Sequence, residues 1–135
     1  MAISEAVLDA LKRRAREAAA HAYAPYSGFA VGAAVLTDGG QIHSSTNVEN
    51  ASFGLSNCAE RNAIFQAVAH GARKLAALAV YTPTADATMP CGACRQVLAE
   101  FGADAVVVCC TDDDAREQRF ALAELLPAAF GPGSL

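Results

Sequence analysis

Asn57-Cys58-Ala59-Glu60-Arg61 and Pro90-Cys91-Gly92-Ala93-Cys94-Arg95 are the stretches around which the rest of the chain is organised. Together they hold three cysteines, one alone and two in a CxxC pair, with a glutamate two residues after the lone one. Three thiolates can fill three corners of a tetrahedral zinc site and leave the fourth open to water. That open corner separates a catalytic zinc from a structural one, and Glu60 is placed to move protons for the water. Both stretches also read as helix starts. One helix is expected from near Ser56 or Asn57 to about His70, stopped by Gly71, and another from Cys91 or Gly92 to Phe101, closed by Gly102. Cys58 and Cys91 then sit at helix N-termini, where the dipole and the free N–H groups favour a thiolate. Cys94 follows one turn later on the same face as Cys91.

Outward from these stretches, residues 4–22 read as a helix. Ser4 can cap it, and Val7, Leu8, Leu11, Ala15, Ala18 and Ala22 recur at helical spacing until Pro25 ends the pattern. Ser27-Gly28 turn the chain into the apolar, β-branched run Phe29–Thr37. Asp38-Gly39-Gly40 signals a hairpin, with 41–46 as the antiparallel partner. Residues 47–57 are polar and read as a loop. Further strands are expected at Leu75–Tyr81 and Ala105–Cys110, with a short fifth at 119–123 after the charged turn Asp112-Asp113-Asp114. Leu125-Leu126-Pro127 begins the tail. Helix, hairpin, helix, strand, helix, strand in that order implies an α/β fold, a mixed sheet with helices on its faces. No internal repeat or linker interrupts it, so 1–135 reads as one domain.

Composition narrows the function classes. A hydrophobic fraction of 53% is high for a soluble domain, and some of the surplus suits a subunit interface. No apolar run approaches the roughly 18 residues of a membrane span, and the N-terminus lacks the basic and apolar regions of a signal peptide. A cytoplasmic location is the expectation. The net charge is −4, and the tightest basic group, Lys12-Arg13-Arg14 with Arg16, reads as a solvated helix face. A small solute is therefore expected as substrate, and neither nucleic acid nor membrane as partner.

Taken alone, Cys91-x-x-Cys94 reads as a redox pair, as half a structural zinc site or as coincidence. A redox pair needs no third cysteine. A structural site wants a fourth ligand, and His21, His43 and His70 have no motif spacing to the cysteines. Cys109 and Cys110 lie in an apolar strand and read as small core residues. Arg61 is the preferred donor to offset the negative charge that three thiolates leave on a zinc site. Arg95 reads either as a similar donor or as a salt-bridge partner on its own helix.

The combined pattern, Cys58-x-Glu60 and then Pro90-Cys91-x-x-Cys94, matches the signature of zinc deaminases that accept cysteine for histidine. Five segments carry the likeness further: Tyr23–Gly32, Asn47–Ala51, Asn57–Arg61, Pro90–Gln96 and Leu125–Pro132. In order and spacing they resemble the small, homotetrameric cytidine deaminases. The resemblance implies a three-layer α/β/α fold with a five-stranded sheet. It also implies Zn²⁺-dependent hydrolytic deamination of cytidine and deoxycytidine to the uridines, a pyrimidine-salvage reaction. Position by position, it implies Cys58, Cys91 and Cys94 as zinc ligands and Glu60 as proton shuttle. Asn47 and Glu49 would hydrogen-bond the ribose hydroxyls, Phe29 would pack near the pyrimidine, and the Ala59 backbone would contact the base. Phe130 would reach the active site of a neighbouring subunit.

Phe53 stands where tyrosine is common in that family, and Asn62 where threonine is frequent. Both departures bear on substrate preference more than on reaction type. The competing classes are another small-molecule aminohydrolase on this scaffold, such as a deaminase of a cytosine-containing antibiotic, a nucleic-acid deaminase and a non-enzymatic zinc-binding module. The first is disfavoured by the Asn47-x-Glu49 pair and the second by the acidic charge. The third predicts that Glu60 is dispensable.

Overall fold

The Ser4 hydroxyl accepts the Val7 N–H at 3.2 Å and starts α1, Glu5–Ala19, in the computed structural model, which describes residues 2–135. After it come β1 (Gly32–Thr37), β2 (Ile42–Thr46), α2 (Ala59–Ala69), β3 (Leu75–Tyr81), α3 (Gly92–Phe101), β4 (Val106–Cys110), β5 (Gln118–Ala121) and α4 (Leu122–Leu125). The five strands form one sheet in the order β2-β1-β3-β4-β5. Only the β3–β4 junction, bridged by α3, is parallel; the others are antiparallel. This is the mixed five-stranded sheet expected of the chain.

Helices cover both faces. Alternate residues of β1 part to opposite sides: Ala33 and Val35 join the cluster with Ala63 and Ile64 of α2 and Leu98 of α3. Ala34 and Leu36 join Leu8, Leu11 and Ala15 of α1. Burial on both faces is why β1 reads as a continuous apolar run rather than an alternating one. The α1 backbone lies so close to β1 that a Cβ on Gly32 would stand 1.8 Å from the Ala15 carbonyl oxygen. The basic residues of α1 tie it down: Lys12 pairs with Glu117 at 2.6 Å, Arg14 donates to Ser44 Oγ at 3.2 Å, and Arg16 pairs with Asp112. No helix is long and apolar enough to cross a membrane among the described residues.

Several boundaries differ from the sequence reading, the first three because a hydrogen bond to a more distant residue replaces a local one. α1 ends at Ala19 rather than at 22. Tyr23 is drawn off to pair with the chain around Val48, its N–H donating to Asn47 O at 3.1 Å and its carbonyl accepting from Glu49 N at 2.9 Å. β1 starts at Gly32 and not at Phe29. The Asn47 side chain takes the places of ladder partners there, accepting Val31 N–H at 3.0 Å and donating to Phe29 O at 2.8 Å. α2 starts at Ala59 because Asn57 is still extended, exchanging two backbone hydrogen bonds with Val48. β5 is Gln118–Ala121, and the residues after it turn into α4, a short helix that the tail reading did not anticipate. Glu124 accepts the Ala121 N–H at 2.8 Å and fixes its start.

Candidate active site

α2 and α3 lie side by side on one face of the sheet, and their first residues converge. Cys58 is the N-cap of α2 and Cys91 the N-cap of α3. The Sγ atoms of Cys58, Cys91 and Cys94 all lie within 4.8 Å of one another, with Cys58–Cys91 at 4.0 Å and Cys91–Cys94 at 3.4 Å. Tetrahedral zinc with sulfur ligands at about 2.3 Å requires sulfurs about 3.8 Å apart, so the observed spacings bracket what the ion needs. Among the described residues no other group of three His, Cys, Asp or Glu side chains converges in this way.

The electrostatics of the cluster favour a dication. The Cys58 thiol is lowered to about 5, chiefly by its hydrogen bond with Cys94 and further by Arg61, against the opposing effect of burial. Cys94 is pushed upward by that same pairing and by burial. Sulfurs this close compete to ionise, and a bound cation removes the competition. Arg61 Nη2 donates to Cys58 Sγ at 3.2 Å, and its buried Nε has no partner among the described residues. Glu60, one residue earlier, is only 5% exposed, and burial raises its carboxyl above the usual range. A carboxyl whose burial opposes ionisation, beside such a cluster, is suited to taking up and releasing a proton.

A cavity of about 270 Å³ opens against this cluster. Phe29, Asn47, Glu49, Cys58, Ala59, Glu60 and Cys91 all line it, bringing together residues from the loops before β1 and after β2 and from both helix starts. Cys94 is fully buried at its back. A larger hollow of about 790 Å³ between the start of α1 and the end of α3 carries no converging set of ligands. Phe130 is not in the cavity; it is 62% exposed, and Gln96 Nε2 holds its carbonyl at 2.9 Å.

The polar walls of the cavity are themselves tied together. Glu49 accepts Tyr26 N–H at 3.0 Å and Ser27 N–H at 3.1 Å on one carboxylate oxygen, and the Ser27 hydroxyl on the other. These bonds, the Ser27 hydroxyl first, hold the Glu49 carboxyl below the usual range. Ser27 also lines the cavity, and nothing in the sequence marks it beyond a turn before Gly28. Its only signal is the long-range bond to Glu49, which needs the fold to be seen.

Arg95 belongs to neither of the roles read from the sequence. Its Nε donates to Pro90 O at 2.7 Å and its Nη1 to Leu125 O at 2.9 Å, joining the CxxC loop to the end of α4. Cys109 and Cys110 are buried in β4 as expected of core residues, and burial pushes their thiols up to about 12 and about 11. Asn62 accepts from Asn57 Nδ2 at 2.6 Å and donates to Thr46 O at 2.9 Å, fastening α2 to the end of β2. Phe53 stands at the surface against Tyr26, ring centroids 5.8 Å apart.

Residues 6–110 match the model of the family described as cytidine and deoxycytidylate deaminase zinc-binding region. The chain is 44% identical to the cytidine deaminase of Sporosarcina psychrophila over 95% of its own length and 92% of that protein. It is 45% identical to the cytidine deaminase of Halalkalibacterium halodurans over 89% of its length and 91% of that protein. The crystal structure of cytidine deaminase from Burkholderia pseudomallei superposes with a TM-score of 0.86 at 44% identity, covering 95% of this chain and all of that one. With the family model spanning most of the chain and relatives this similar over nearly its whole length, the protein belongs to the cytidine deaminase family.

Proposed function

We infer that the protein hydrolyses the exocyclic amine of cytidine and deoxycytidine, giving uridine or deoxyuridine and ammonia, with residues 1–135 acting as one catalytic domain. One observation carries this reading: three cysteine sulfurs and a buried glutamate meet at a single cavity in a chain of this family. Cys58, Cys91 and Cys94 would hold Zn²⁺, and Arg61 would offset part of the charge that three thiolates bring. When bound there, the ion supplies the Lewis acidity that brings a water's pKa down toward about 7.

Glu60 accepts the proton of the attacking water and delivers it to the ring nitrogen beside the carbon under attack. As the water's oxygen bonds to that carbon, a second transfer through the same carboxyl carries the proton of the new hydroxyl to the exocyclic amine, and the C–N bond breaks to leave a carbonyl and ammonia. Burial serves both steps, since a carboxyl that resists ionisation returns its proton readily. Phe29 packs against the pyrimidine, and the Ala59 backbone, at the first turn of α2, contacts its polar edge.

Asn47 and Glu49 suit a sugar hydroxyl by their remaining capacity. A carboxylate has about four acceptor positions, and Tyr26 and Ser27 use three of those on Glu49. The Asn47 amide has two N–H donors, and Phe29 O takes one. One donor and one acceptor are left, the pair that a hydroxyl needs. The 3′-hydroxyl is the group assigned to them.

Phe130 completes the site of a neighbouring chain in a homotetramer. Exposed Tyr26, Phe53, Leu55 and Phe130 supply the apolar surface that such an assembly would cover. A cytoplasmic place in pyrimidine salvage follows from the substrate. The reading is tested with one zinc-loaded preparation: light scattering gives the mass of four chains, and cytidine is converted to uridine and ammonia in equal amounts. A monomeric mass overturns the shared site, and intact cytidine overturns the substrate.

A further inference from the structure

Ser27 occupies a position that neither the metal cluster nor the proton path uses. Its hydroxyl is bonded to Glu49 Oε2 and accepts the Phe29 N–H at 3.0 Å, while its own N–H donates to Glu49 Oε1 at 3.1 Å. One side chain thus joins a polar wall of the cavity to its aromatic wall, across 22 residues of sequence. A hydroxyl has one proton and two lone pairs. With the proton on Glu49 and a lone pair taking Phe29 N–H, both bonds are served in a single orientation.

We propose that Ser27 is a positioning residue that sets sugar specificity, by fixing the Glu49 carboxylate so that its one open acceptor site meets the nucleoside 3′-hydroxyl. The proposal rests on the reading of Glu49 given above. The alternative, that Ser27 merely completes the turn before Gly28, would affect folding or all substrates alike. Without the hydroxyl, Glu49 keeps its two backbone donors on Oε1, but Oε2 is free to rotate away or to recruit water. Phe29 N–H loses that bond too, but Phe29 O stays held by Asn47 Nδ2 at 2.8 Å, so the aromatic wall keeps its place.

The experiment compares wild type, Ser27→Ala, Ser27→Thr and Glu49→Gln, each zinc-loaded, on cytidine and on 3′-deoxycytidine, which lacks the hydroxyl in question. Ser27→Ala is expected to raise KM for cytidine about five- to tenfold with kcat within about twofold, the loss of one charge-assisted hydrogen bond. On 3′-deoxycytidine its kcat/KM stays within about twofold of wild type. Ser27→Thr, which keeps the hydroxyl, restores most of the cytidine KM. Equal losses on the two nucleosides, or a fall confined to kcat, overturn the proposal. Glu49→Gln separates the two layers of argument. If it discriminates between the nucleosides and Ser27→Ala does not, the assignment of Ser27 fails alone. If Glu49→Gln does not discriminate either, the sugar reading of Glu49 fails and this inference with it.

Discussion

His43 shows how a single side chain can carry a cost that the sequence does not reveal. It lies on β2 with its Nε2 buried and without a hydrogen-bond partner among the described residues, its ring 5.2 Å from that of His70 at the end of α2. Burial, then His70, then Arg14 lower its pKa below the ordinary 6.5. The unfolded chain therefore binds a proton at higher pH than the folded one, and stability falls as pH drops below about 6.5 toward the folded value. His43→Phe removes that linkage and leaves no unpartnered nitrogen. In thermal melts, wild type is expected to lose more stability than His43→Phe between about pH 8 and pH 5, and parallel losses would refute the assignment. The convergence of Cys58, Cys91, Cys94 and Glu60 was legible in the sequence because their spacing is local to two helix starts. The bonding of Ser27, Arg95 and Asn62 was not. Their partners are Glu49, Pro90 with Leu125, and Thr46, and the longer of these links exist only after the sheet forms.

Elements were legible in proportion to how far local pattern decides them. β3 and α3 fall where local pattern places them, because β3 is an apolar run buried almost along its whole length and α3 is closed by Gly102. The beginning of β1 was misjudged since Phe29–Val31 has strand composition but is bonded by a side chain, that of Asn47. α4 escaped notice because four residues carry too little periodicity to register. Of the glycines, Gly32 lies closest to a neighbouring element. A methyl there would lie 1.8 Å from Ala15 O, which is backbone and cannot turn aside, so α1 must lift from the sheet. Overpacking of this kind costs about 3 kcal/mol or more, and Gly32→Ala is expected to lower Tm by about 10 °C. A melt within a degree or so of wild type would show that α1 and β1 are not held this closely.

On the scale of the whole molecule, the sheet serves to bring two helix N-termini to one place. The parallel β3–α3–β4 crossover delivers Cys91 and Cys94, and the antiparallel β1–β2 pair feeds the chain into α2 and Cys58. The loops flanking β1 and β2 then close the cavity with Phe29, Asn47 and Glu49. In the proposed mechanism this arrangement makes Glu60 the proton carrier for a zinc-dependent hydrolysis. Its most direct test is the loss of ultraviolet absorbance of cytidine with wild type and Glu60→Gln, zinc content being measured on the same samples. The expected result is full zinc in both proteins and a fall in turnover of about a hundredfold or more in the variant. Turnover that survives in Glu60→Gln with zinc in place would contradict the claim and require another group to carry the proton.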